Sequence, residues 1–218
     1  MKTNNPMRGL LTFSFYAASG NMSIAALFTL AMSAALLITG NLTVYAFFVL
    51  VAVGTFPYTI MAAMGGKNAP KWEKFQLTMP VKRKDVVASI YLSVLLATIA
   101  GLLLAGIILG IGFVLHEGLL EHVLQTAFAQ FAYVFGVVLI MAGLLFPIAS
   151  TKAGESRGEA VFTGCLFAAG FIMILISWAG GRADILPWII SLSQVAIAVV
   201  VFVISYLLTK KMYAKMDF

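Results

Sequence analysis

Six apolar runs, none with a charge in its middle, divide this chain at residues 22–39, 43–65, 86–115, 123–149, 160–179 and 185–208. Each approaches or exceeds the roughly 20 residues that take a helix across a hydrocarbon core at about 1.5 Å per residue. The runs are continuous rather than alternating. They therefore predict helices and not barrel strands, since a lone strand would leave its backbone groups unpaired in lipid. The expected fold is an all-α membrane protein with six transmembrane helices, forming one transmembrane domain over residues 1–218.

Two shorter segments carry a different pattern. Ahead of the first run, Lys2 and Arg8 precede Leu10, Leu11, Phe13 and Phe15, and residues 7–20 predict an amphipathic helix lying at the membrane interface. Gly20 and Asn21 would then turn the chain into the first span, with Asn21 capping it. A secretory leader is the poorer reading, because the apolar stretch is short and broken by Thr12 and Ser14. Between the second and third runs, Asn68 is placed to cap a helix with Pro70 in its first turn and Glu73 near its positive end, and Pro80 stops it. At about 100° per residue, Trp72, Phe75, Gln76 and Met79 gather on one face of this 69–79 helix, while Leu77 points away. Pattern alone weighs equally a lipid-facing helix, with its lysines on anionic headgroups, and a surface that docks a protein. The third run, at about 30 residues and about 45 Å, exceeds the hydrocarbon thickness and should project into the cytosol, carrying the 69–79 helix outward.

Composition and charge sharpen this picture. A chain that is 62% hydrophobic and only 10% charged cannot hide its apolar surface in one soluble core. With the amino terminus in the cytoplasm, all of the fourteen Lys and Arg residues except Arg182 fall on the cytoplasmic side. That bias assigns both termini to the cytoplasm, and the expected location is the cell membrane. The net charge of +6 thus reads as a topology signal; nucleic-acid binding is not indicated, because the basic residues border spans instead of gathering on a folded face. Trp178 and Trp188 flank the 180–184 loop as an outer aromatic belt would. Cys165 has no second cysteine to pair with and reads as a small packing residue.

The candidate chemistry inside the spans is mainly an absence. No span carries an ionisable group in its middle, where an ion- or proton-coupled carrier needs one. Gln130 and Gln194 are the largest polar groups at depth, and either could line a substrate path, although an interhelical hydrogen bond is the commoner role. Pro57 and Pro147 should bend the second and fourth spans and mark hinges, but an inverted repeat would pair the second span with the fifth. Gly106 and Gly110 form G-x-x-x-G, which allows close helix approach within or between subunits. His116, Glu117, Glu121 and His122 invite a metal reading, yet the two histidines are not at the i, i+4 spacing that aims both at one ion. A solvated turn fits them better. Gly65-Gly66-Lys67 lacks the upstream glycine and following Ser or Thr of a phosphate loop, and no nucleophile or zinc motif occurs, so no catalytic residue is assigned.

The segment from Trp72 to Leu92 is more specific. Its aromatic-rich turn with Trp72 and Phe75, the Met79-Pro80-Val81 step, the Lys82-Arg83-Lys84 triplet, Val86-Val87 and Tyr91-Leu92 resemble a stretch found in ABC-2 type transporter permeases. Ile90 stands where that family often has a lysine, so the role of that lysine does not carry over. The six-span layout and cytoplasmic termini extend the resemblance over the whole chain, and within the family the likeness runs to permeases that export amphipathic phenol-soluble modulins. The resemblance implies the permease half of an ATP-driven exporter, forming the path for an amphipathic peptide or lipid-like substrate. It implies a second permease chain, in a homodimer or with a close paralogue, and two copies of a cytosolic ABC ATPase that bind the ATP and Mg. This chain would hold no cofactor. The implied coupling helix is Ala69 to Met79, with Trp72, Glu73, Phe75, Gln76, Leu77 and Met79 against the ATPase and Lys152, Glu155 and Arg157 in a second cytoplasmic contact. Nucleotide-driven closure would move it and shift helix bundles as rigid bodies. Two other classes stay open: a non-transporting structural partner, and a membrane-embedded enzyme acting on lipid headgroups, which would need acidic, His or Ser clusters at the interface.

Overall fold

The computed structural model describes residues 6–40, 42–65, 81–115, 120–149, 158–182 and 186–215, and every regular element in them is an α-helix. In chain order these are α1 (Pro6–Thr39), α2 (Leu42–Gly65), α3 (Arg83–Leu115), α4 (Leu120–Ala149), α5 (Gly158–Arg182) and α6 (Pro187–Lys215). Five of the six are long and apolar enough to cross a bilayer; in α2 the apolar stretch among described side chains is Phe48–Ala63. The 33 residues of α3 give it a length of about 50 Å, well beyond a hydrocarbon core of about 30 Å.

Local chemistry sets the helix ends. Gly40 closes α1 with φ at 58°, a conformation that costs glycine little, and its N–H donates to the Leu36 carbonyl at 2.9 Å. The Lys82 carbonyl accepts from the N–H groups of Asp85 and Val86 at 2.8 and 3.3 Å, which starts α3, and Asp85 brings a negative charge to the positive first turn. Leu186 plays the same part for α6, its carbonyl accepting from Ile189 and Ile190, with Pro187 in the first position where its missing N–H costs nothing.

Two expectations are corrected here. The turn at Gly20 and Asn21 does not occur, because α1 runs unbroken through both. One glycine in a helix interior costs about 1 kcal/mol, too little to break an element held by packing along its length. Residues 7–20 therefore form the first turns of α1, and the i, i+4 stripe of Leu10, Ser14 and Ala18 is buried, with Leu10 and Ala18 in the core. The sixth helix also outruns its expected end at 208, continuing through Lys210 and Lys211, both exposed. Pro57 and Pro147 lie inside continuous helices.

The helices alternate in direction, and the described basic residues sort accordingly. Arg8, Lys82, Arg83, Lys84, Lys210 and Lys211 lie at one end, called here the basic end, while α5 reaches Arg182 at the opposite end. Helix α4 is the axis of the bundle, packing on α2, α3, α5 and α6, with 61% of its apolar window buried against 17% for α5. The core has two storeys. One, at the basic end, joins Leu10, Ile60, Val87, Tyr91, Leu139, Met141 and Leu145 with Met173 and Tyr213. The other joins Leu36, Tyr45, Phe48, Val53, Leu109 and Ala127 near the opposite end.

Glycines in α3 serve two different surfaces. At Gly101 a Cβ would collide with the carbonyl oxygen of Ala52, so α2 and α3 approach backbone to backbone there. At Gly106 and Gly110 a Cβ would meet nothing, and the G-x-x-x-G pattern faces away from this chain's own bundle.

Candidate functional site

Two polar sites lie at different depths between the helices. The first is at the basic end, where Tyr91 of α3 is buried against α4 and α6. Its hydroxyl shares hydrogen bonds with Ser205 Oγ at 2.6 Å and Thr209 Oγ1 at 2.8 Å, two α6 residues four apart and therefore on one face. The ring is enclosed by Phe146, Phe202 and Tyr206, with centroids at 4.9, 5.0 and 5.4 Å in tilted or edge-on geometry. Two turns earlier, Arg83 Nη1 donates to the Tyr213 carbonyl at 3.3 Å. The first three turns of α3 are thus tied to α6 by side chains at two levels. None of these contacts was read from the sequence, because Tyr91, Ser205 and Thr209 are ordinary residues until the fold brings them together.

The second site faces the other side of α4. A cleft of about 420 Å³ is bounded by Leu50 of α2, Gln130, Tyr133 and Val134 of α4, Ser177 of α5, and Ser191 and Gln194 of α6. Gln194 Nε2 donates to Ser177 Oγ at 2.7 Å and reaches the Met173 carbonyl at 3.5 Å, joining α6 to α5. Gln130 Oε1 is buried without a hydrogen-bond partner. The other such atom among the described residues, the Tyr45 hydroxyl, belongs to a residue that borders no part of this cleft.

Toward the basic end a second cleft of about 330 Å³ follows, bounded by Gly54, Thr55, Tyr58 and Met61 of α2, Val138 and Met141 of α4, and Leu166 of α5. Leu50, Tyr133 and Val134 border both, so the two clefts are neighbours along α4. The second is apolar in effect: Thr55 Oγ1 is already bonded to the Val51 carbonyl at 2.6 Å. Among the described residues, no Asp, Glu, Lys, Arg or His borders either cleft.

The residues expected at depth, Gln130 and Gln194, therefore border one cleft. Gln194 makes the interhelical bond; Gln130 borders the cleft, with its Oε1 buried and unpartnered. Ser177, Ser191, Tyr58 and Tyr133 complete the walls and were missed, since hydroxyls scattered at helical spacing give no local signal. Cys165 is buried in the core as a free thiol, in keeping with packing. Trp178 and Trp188 are exposed near the facing ends of α5 and α6. Trp72, Glu73, Phe75, Gln76, Leu77 and Met79, and with them Lys152, Glu155 and Arg157, lie outside the described residues. So do His116 and Glu117.

The described residues thus form a helical bundle with five helices long and apolar enough to cross a membrane and two clefts along its central helix. The sequence matches the profile described as ABC-2 family transporter protein over residues 9–214, and the chain belongs to that family. No curated protein and no solved structure matches it. Members of the family are the membrane components of transporters without an ATPase domain of their own, which implies an ABC ATPase partner. The match reaches the family and carries no likeness to phenol-soluble modulin exporters in particular.

Proposed function

We propose that this chain is the permease subunit of an ATP-driven exporter, a half-transporter that pairs with a second permease chain in the cell membrane with both termini in the cytoplasm. The substrate path runs through the two clefts beside α4, and the cargo is an amphipathic peptide or lipid-like molecule. Energy enters at the 69–79 segment, where Trp72, Phe75, Gln76 and Leu77 dock on a cytosolic ABC ATPase that holds ATP and Mg, with Lys152, Glu155 and Arg157 as a second contact. The observation that carries this reading is the continuity from that segment into the bundle. Residue 83, only four beyond the proposed coupling helix, opens α3, and α3 is clasped to α6 through Arg83 and Tyr91. Displacement of the coupling helix is then passed to α6, which borders the Gln130 cleft, as a rigid-body shift and not as local bending.

The test is co-purification with a candidate ABC ATPase carrying a phosphate-binding loop. Trp72→Ala combined with Phe75→Ala should abolish association while membrane insertion is unchanged, because binding energy concentrates in buried aromatics. Full retention of the ATPase by that double variant would show that docking occurs elsewhere. Transport of cargo by the purified chain with no ATPase bound would overturn the reading altogether.

A further inference from the structure

We infer that α6 binds an anionic phospholipid of the leaflet at the basic end, its acyl chain along Val200, Ile204 and Leu207 and its phosphate on Lys211, with Lys210 beside it. The site is separate from the clefts and from the 69–79 segment.

It begins with the division of α6 into two faces. At about 100° per residue, Ser205, Thr209 and Tyr213 share one face, and all three are buried where α6 meets α3. Val200, Val203, Ile204, Leu207 and Leu208 occupy the opposite arc, and each is about half exposed. On a membrane helix such an arc is covered by acyl chains. Lys211 falls in the middle of it, four residues after Leu207 and seven after Ile204. The lipid-facing stripe therefore runs directly into a cation.

The spacing along the helix fits one leaflet. From Val200 to Lys211 the rise is about 16 Å, against about 15 Å for half of a hydrocarbon core. A lipid whose chain lies on the stripe brings its phosphate to the level of the Lys211 ammonium.

Charge selects the headgroup. Lys210 and Lys211 are both exposed, and neither has an ion-pair partner among the described residues. A lysine beside an anionic lipid surface strengthens binding about five-fold, whereas a zwitterionic headgroup brings its own cation and gains less. The negative end of the α6 dipole would oppose a phosphate, but Arg83 Nη1 donates to the Tyr213 carbonyl there and offsets it. The two lysines also lie between Thr209 and Tyr213, the α6 residues that bond to Tyr91 and Arg83 of α3. A headgroup held on that turn steadies the clasp between the two helices, so the lipid stabilises the fold as well as binding to it.

The test uses the full chain in a neutral maltoside detergent, titrated with dioleoylphosphatidylglycerol or dioleoylphosphatidylcholine. Bound lipid is counted by native mass spectrometry, and the thermal unfolding midpoint is followed in parallel. Phosphatidylglycerol should bind about twenty-fold more tightly than phosphatidylcholine and raise the midpoint. Lys211→Gln should weaken phosphatidylglycerol about five-fold and leave phosphatidylcholine unchanged, while Lys211→Arg should retain wild-type binding. Lys210→Gln combined with Lys211→Gln should remove both the preference and the rise in midpoint; the single variants carry the test if the double variant does not fold. Arg8→Gln removes one exposed cation from the same end but on α1, and should cost less than two-fold. Equal losses at Arg8 and Lys211 would reveal diffuse attraction to the whole basic end and overturn the site. So would a preference that survives the double variant, or displacement of phosphatidylglycerol by inorganic phosphate alone. Loss of ATPase association with lipid binding intact in the double variant would make the lysines a protein contact, which overturns the inference and leaves the permease reading standing.

Discussion

The basic-end knot around Tyr91 and the cleft around Gln130 are built from similar materials, hydroxyls and aromatic rings on helices that share α4, and they end in opposite states. At Tyr91 the hydroxyl has two partners within 2.8 Å and three rings enclose its own. At Gln130 an acceptor is buried with none, beside open volume. In lipid a polar group gains no hydrogen bonds from solvent, so a fully satisfied cluster acts as a fastener, while an unsatisfied oxygen adds nothing to the hold between helices. The contrast assigns the fastening to the α3–α6 side of the bundle and the open clefts to the α2–α4–α5 side.

The strongest way to break this comparison is Tyr91→Ala. Removing an enclosed aromatic from the basic-end core should cost about 3–5 kcal/mol of stability, seen as a marked fall in the thermal unfolding midpoint in detergent. A small change would mean that the ring is not part of a fastener. Next in size is Gly101→Ala, where the added methyl meets the Ala52 carbonyl and must push α2, which walls the clefts, away from α3. Overpacking of this kind costs about 1–3 kcal/mol, while Gly106→Ala on the open face of the same helix should be neutral or slightly stabilising. Equal effects at the two glycines would contradict the packing described for α3. Tyr91→Phe keeps the ring and loses only the hydroxyl, for about 1 kcal/mol. The smallest effects sharpen the comparison most: Gln194→Leu should destabilise by about 0.6 kcal/mol through the lost bond to Ser177, whereas Gln130→Leu should leave the fold unchanged or more stable. Reversal of that order, in paired denaturation measurements, would mean that Gln130 has a structural partner.

The helices themselves were legible. Apolar runs ending at 39, 65, 115 and 149 end where α1 to α4 end, because a bilayer-spanning helix is specified by uninterrupted composition over its own length. Legibility failed where local and tertiary terms compete. Gly20 and Asn21 carry a turn signal, yet buried Leu10 and Ala18 hold the helix straight through them. Lys210 and Lys211 look like the end of a span, and the helix continues because Tyr213, one turn on, is buried at the end of the core and accepts a bond from Arg83. Of the site, Gln130 and Gln194 stood out as amides at depth in apolar runs. Their meeting in one cleft did not, since 64 residues and two helix reversals separate them and no spacing rule reaches that far.

Composition, hydrophobic runs and the placement of basic residues determined by themselves that this chain is a helical membrane protein whose cations gather at one end, because each of those properties is a sum over neighbouring residues. The Trp72 to Leu92 segment added the family. What the tertiary structure alone decided is pairing: which glycine touches a carbonyl and which faces outward, which glutamine is bonded and which is left open, and that Tyr91 fastens α3 to α6. Those outcomes depend on the rotation of each helix about its axis against its neighbours. In runs that are apolar on every side, nothing in the local sequence states that rotation, and packing has to choose it.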